Sequence, residues 1–112
     1  MNESILNEIK KMLGIDEQDT SFDTSVRIDI NAAFSRLRQL GVGPPQGFKI
    51  TGSSETWNEF LSEKEFTDDI KTYVYLKTKL LFDPPTLSVL LSSMKEQISE
   101  LEWCMNSEKD TT

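Results

Sequence analysis

The tripeptide Asp83-Pro84-Pro85 restricts what this chain can fold into more than any other stretch. It forces a corner between two long helical patterns running from Phe66 to Met105. A residue that precedes proline is pushed out of the helical region, and neither proline has a backbone N–H to donate. Upstream, Phe66, Ile70, Tyr73, Val74, Leu80 and Leu81 gather on one side of a helix. Downstream, Leu87, Leu91, Met94, Ile98, Leu101 and Met105 recur at spacings of four, three, four, three and four, a seam that packs against another helix. Pro84 or Pro85 is expected in the first turn of the second helix, where its missing donor does no harm. The expectation is a long helix, a sharp corner and a second long helix.

The earlier part of the chain is also helical in pattern. Asn2 or Ser4 can cap a first helix with the apolar face Ile5, Leu6, Ile9, Met12 and Leu13 and with Gly14 just past its end. Lys10 and Lys11 fall in its last turn, where cations suit the helix dipole. A second helix is expected from Asp23 or Thr24 to Gly41, on the stripe Val26, Ile30, Ala33, Phe34, Leu37 and Leu40. A long irregular loop, 41–56, follows, with Phe48–Thr51 as an extended segment or short strand. Thr56-Trp57-Asn58-Glu59 has the Thr-x-x-Glu form of a capping box and opens a short helix, and Ser62-Glu63-Lys64-Glu65 repeats it before a long helix over 63–82. The fold class is therefore all-α: a small bundle of four to five helices, two of them joined at the Pro-Pro corner. Residues 1–105 form a single domain, and the polar end, 106–112, is expected to be disordered unless a partner orders it.

Composition narrows the chemistry. The 112 residues carry a net charge of −7, which argues against a free-standing nucleic-acid binder with a basic footprint. All three arginines, Arg27, Arg36 and Arg38, lie in the one positive stretch, 26–50. There is no histidine, so the commonest general base and metal ligand is missing. The one cysteine, Cys104, has no internal disulfide partner, and a reducing cytoplasmic setting is expected. A charged-then-apolar leader is not seen, nor an apolar run near the roughly 18 residues of a membrane span. The acidic linker Asp16, Glu17, Asp19 and Asp23 lacks the glycine and terminal glutamate of an EF-hand loop and reads as helix capping. Gly41, Gly43 and Gly47 follow a helix instead of a strand and lack a Gly-Lys-Ser/Thr ending, so no phosphate-cradling loop is expected. No catalytic residue, cofactor site or metal site is assigned.

Surfaces for other proteins are the better candidates. Arg27 and Arg38 share a flank of the second helix; Trp57, Phe60, Tyr75, Phe82 and Trp103 supply aromatic area, and interfaces favour aromatics and arginine. Lys77 lies within an apolar stripe, where a charge must be paired or reach outward. Tyr75 and Phe82 point away from that stripe, so this helix is either contacted on two sides within one chain or has one face completed by a second subunit. Asp83, Pro84 and Pro85 are the structural corner.

Several strings together resemble a known family. They are Leu40-Gly-Val-Gly-Pro44 leading to Phe48 and Ile50, Trp57-Asn-Glu-Phe-Leu61, Lys71-Thr-Tyr-Val-Tyr-Leu-Lys-Thr-Lys-Leu-Leu-Phe-Asp-Pro-Pro85, and Met94-Lys-Glu-Gln-Ile-Ser-Glu-Leu-Glu-Trp103. In this order they are similar to the head-tail connector (adaptor) proteins of tailed phages and prophages of Gram-positive bacteria. The resemblance covers nearly the whole chain, and none of its strings is a catalytic signature.

The resemblance implies an all-helical, non-enzymatic subunit of the virion neck, assembled in the bacterial cytoplasm. It implies a ring, with a dodecamer as one form, beneath the portal protein, built from subunits that can be monomeric when free. A stopper or tail-completion protein would dock on that ring, and DNA would pass through its channel without specific binding. Loop 41–56 and the tail would order on neighbours. The Arg27/Arg38 flank could face acidic stretches such as 16–23 or 63–69 of a neighbour, since a ring contact joins two different faces. A small acidic helical regulator, binding a host or phage protein, is the competing reading of the net charge.

Overall fold

The structure, a computed structural model, describes residues 4–44, 46–60 and 67–110. Five helices stand among them: α1 (Ile5–Met12), α2 (Asp23–Gln39), α3 (Trp57–Phe60), α4 (Thr67–Phe82) and α5 (Ser88–Asp110), with no strand. The all-α bundle follows the sequence pattern. The second capping box and Phe66 lie outside the described residues.

The two N-terminal helices end by the same device. The Ser4 hydroxyl caps α1 by accepting from the Asn7 N–H. At the far end Gly14 takes a φ of 82°, and the Ile15 and Gly14 N–H groups turn back to Lys10 and Lys11 carbonyls. In α2, Gly41 has a φ of 83°, and Val42 and Gly41 donate to Leu37 and Arg38. Each glycine provides the left-handed residue that closes a helix by satisfying its orphan carbonyls.

α2 packs most extensively on α4, and α1 lies across both. Val26, Ile30, Ala33, Phe34 and Leu37 of α2 are all buried, as the stripe predicts. Against them stand Ile5, Leu6 and Ile9 of α1 and Ile70, Tyr73, Val74 and Leu76 of α4. Each such side chain contributes about 1.5–3 kcal/mol on leaving water. Phe34, Phe48 and Phe60 form an aromatic cluster with ring centroids 4.6–5.3 Å apart.

The loop after α2 is tied down by its own chain. Asn31 accepts from the Ile50 N–H at 2.8 Å and donates to its carbonyl at 3.0 Å, pairing with the backbone as a strand would. Phe48–Thr51 is thus extended without being a strand. Glu55 accepts from the Thr51 N–H and hydroxyl and from the Gly52 N–H, and its carbonyl accepts from the Ile5 N–H. The described part of loop 41–56 needs no neighbour for these bonds.

Several expectations are corrected. Leu81 is 55% exposed, whereas Leu76 and Thr78 are buried in its stead. α2 packs most extensively on α4, and the buried side of α4 runs through Ile70, Tyr73, Val74, Leu76 and Thr78. The prolines do not enter the first turn of α5, which starts at Ser88; both lie in the connection. α5 runs on to Asp110. The seam of α5 is used from Met94 onward, with Met94 and Leu101 partly buried against the core. Ile98 and Met105 are buried, while Leu87 is 64% exposed.

Candidate functional site

Three polar clusters and two surfaces stand out. The first cluster fastens α5. Glu102 accepts from the Tyr73 hydroxyl at 2.6 Å and from Arg36 through Nη2 at 3.1 Å and Nε at 3.4 Å. One carboxylate thereby joins α2, α4 and α5. Burial works to raise the Glu102 carboxyl's pKa, but hydrogen bonds from Arg36 and Tyr73 outweigh it and hold the group below its usual range. The Tyr73 phenol is pushed strongly upward, by burial first and by the Glu102 carboxylate second. It stays a donor at any physiological pH.

The second cluster folds the acidic linker onto α1. Lys10 is 1% exposed, and its ammonium lies 2.8 Å from Asp23 Oδ1, an ion pair whose angle falls short of a hydrogen bond. The same ammonium donates to the Glu17 carbonyl at 3.1 Å. Asp16 and Asp19 accept from the Gln18 and Ser21 N–H groups within the linker, as short turns require. Among the described residues no three His, Cys, Asp or Glu side chains form a group able to hold a metal ion, and no helix is long and apolar enough to cross a membrane.

The third cluster absorbs two candidate interface residues. Trp57 is buried in the core, its indole N–H donating to Glu8 at 2.6 Å while Lys71 pairs with Glu8 at 3.2 Å and lies over the ring. Phe60 is buried in the aromatic cluster. Both rings are thus occupied inside this chain. Gly43 lets the Phe60 ring approach: its φ is 90°, and a Cβ there would stand 2.5 Å from Phe60 Cε1. Tyr75 and Phe82 are half-buried against the core, and Phe82 meets Phe22 edge-to-face at 5.6 Å. Lys77 is half-buried, and its charge helps hold Glu102 ionised.

The remaining candidates face outward. Trp103 is 70% exposed beside a shallow groove of Lys95, Glu96, Ser99 and Glu100. Arg27 is half-buried on α2. Arg38 is exposed and lies against Gly47, on a cavity of about 510 Å³ that it shares with Lys49, Phe34 and Phe48. At the corner, Asp83 continues the end of α4 through its N–H to the Lys79 carbonyl and its carboxylate to the Lys79 ammonium at 3.0 Å.

The second surface was not singled out from the sequence. Residues 84–94 carry no charge. There Leu87, Val89 and Leu90 are 50–77% exposed, and Leu81, ahead of the corner, is 55% exposed. The heptad-like spacing pointed to Leu87 and Leu91 as packed residues. The run of eleven uncharged residues was the signal that the outer side of the helix is apolar too.

A family model described as phage connector protein matches residues 5–112. No curated protein and no solved structure matches the chain.

Proposed function

The chain belongs to the phage connector protein family, and from that premise we propose that it is the adaptor of a tailed-phage neck. In this reading it acts without turnover: copies close into a ring beneath the portal protein, continue the DNA channel, and offer a docking surface to the stopper or tail-completion protein. The observation that carries the reading is the corner. A free-standing chain gains nothing from eleven uncharged residues that expose Leu87, Val89 and Leu90. A surface depleted of charge and rich in large apolar side chains is what the middle of a protein–protein interface looks like. The seam of α5 supports the same conclusion, because among the described residues its first position, Leu87, stays 64% exposed while Met94, Ile98, Leu101 and Met105 pack on the core.

The test is mass by light scattering, on the protein alone and with the portal of its phage. A stoichiometric ring, free or on the portal, is expected. Val89→Asp with Leu90→Asp should abolish it while circular dichroism and thermal unfolding stay near wild type, since Val89 is 77% and Leu90 50% exposed. A wild-type monomer that ignores the portal would overturn the reading and favour a small acidic regulator.

A further inference from the structure

Trp103 is the bulkiest apolar side chain that the described surface leaves in water, 70% exposed on α5. With Lys95, Glu96, Ser99 and Glu100 it lines a shallow groove. Glu96 stands seven residues before Trp103 and Val89 seven before that, so all three fall close to one line along the helix, about 21 Å long at 1.5 Å per residue. That line is opposite the one through Ile98 and Met105, which are buried. The groove and the apolar corner are therefore two ends of one outer face.

The groove has a cation of its own, but that cation lies at its edge. Lys95 stands seven residues before Glu102, which Arg36 of α2 holds, so it occupies the side of α5 turned toward α2. Glu96 and Glu100 lie about 100° and 140° round the helix axis from it. Among the described residues, neither acid has an ion pair or hydrogen bond.

A matching group is present elsewhere on the chain. Of the three arginines, Arg36 is held by Glu102 and Gln39, and Arg38 interacts within its own chain. Arg27 has no such contact among the described residues, and Asp23, one turn before it, is taken by Lys10. Beside Arg27 on α2, Ile28 is 55% exposed.

We propose that the groove on α5 receives Arg27 and Ile28 of a second copy of this chain. The Arg27 guanidinium lies on the Trp103 ring between the Glu96 and Glu100 carboxylates, and Ile28 covers the rest of the indole. A planar guanidinium can stack on an indole and donate to carboxylates at once, which an ammonium does less well. Tryptophan and arginine also carry the largest share of interface energy. The socket is on α5 and the plug on α2, so the contact joins two different faces and repeats head to tail, as a ring requires and a two-fold dimer does not. The proposal rests on the ring reading above and adds which side chains close it.

The experiment uses four full-length variants with the portal: Trp103→Ala, Glu96→Arg with Glu100→Arg, Arg27→Glu, and the chain carrying all three charge reversals. Trp103→Ala and each one-ended reversal should lose the ring, as read by light scattering, while circular dichroism stays near wild type. The three-fold variant restores opposite charges at every contact and should regain it. Cys104, exposed beside Trp103, supplies a second readout. Ile28→Cys with a short bismaleimide should join copies through Cys104 into a ladder beyond the dimer, which wild type should not form. One-ended variants that assemble like wild type, a folded three-fold variant that does not, or a ladder that never forms would each overturn the proposal while leaving the adaptor reading intact. If the α5 reversal alone blocks assembly and Arg27→Glu does not, the groove takes a basic segment of another neck protein and the proposal is equally wrong. A wild-type chain that forms no ring is a failure of the adaptor reading instead.

Discussion

Glu102→Ala is the perturbation that most directly tests how α5 is held. Tyr73 is wholly buried, and its hydroxyl is given a partner by Glu102 at 2.6 Å. Removing the carboxylate strands a buried donor and deletes a hydrogen bond to a charged group, a loss of about 2 kcal/mol. The Arg36 arm adds less than about 1 kcal/mol, since its guanidinium remains in water; its side chain is 42% exposed. The total, about 2–3 kcal/mol, corresponds to a fall in Tm of about 10 °C for a domain of this size. Tyr73→Phe alone should cost about 1 kcal/mol, because Glu102 keeps Arg36. In the double variant no donor is stranded, so its loss should fall short of the sum of the singles by about 1 kcal/mol or more. The assay is a double-mutant cycle by chemical or thermal unfolding. Strict additivity would refute the claim that the two groups act as one unit.

Four other outcomes are expected. The folded Glu102 carboxyl lies below its unfolded value of 4.5, so its contribution is complete above that pH and is lost as pH falls through the lower folded value. The stability gap between wild type and Glu102→Gln, followed by unfolding at successive pH values, should therefore close below pH 4.5. Gly43→Ala should cost about 3 kcal/mol, from left-handed strain and overpacking together, because the Phe60 ring it would strike is wedged between Phe34 and Phe48; a near-neutral Tm would count against that packing. Thr78 is wholly buried, and its hydroxyl has no partner among the described residues, so Thr78→Val should raise stability by about 1 kcal/mol in denaturant unfolding. Lys10→Ala should lower stability by about 2–3 kcal/mol, through lost packing and an unpaired Asp23 that keeps partial access to water; an unchanged midpoint would show that the linker does not need this lysine.

What could be read from the sequence was whatever repeats along one helix. The α2 stripe is buried from Val26 to Leu37 as its spacing requires, and the cap at Ser4 and the stops at Gly14 and Gly41 are local chemistry. What escaped depends on residues far apart in the chain. Tyr73 reads as one more stripe residue and Glu102 as one more surface acid, but they meet across 29 positions, and Arg36 joins them across 66. Lys10 looks like a cation suited to a helix end, and only the fold-back of the linker turns it into a buried anchor. Trp57 and Phe60 carried the right residue types for an interface, but Glu8, Phe34 and Gly43 claim them for the interior. Leu87 misled in the opposite direction: heptad spacing says that a helix needs a partner without saying whether the same chain contains it.

The lopsided attachment of α5 has a kinetic consequence. Its 23 residues extend about 34 Å, and its buried residues, Ile98 and Met105, lie in the far part, where Glu102 also binds. The turns next to the corner have few buried contacts to lose when they open. Their amide hydrogens should exchange with solvent deuterium well ahead of those of α4, and the protection should rise along the helix toward Glu102. A neighbour that covers Leu87, Val89 and Leu90 would then slow exchange most in the turns that were fastest before. The same few amides would both report that assembly has occurred and locate where on the subunit it took hold.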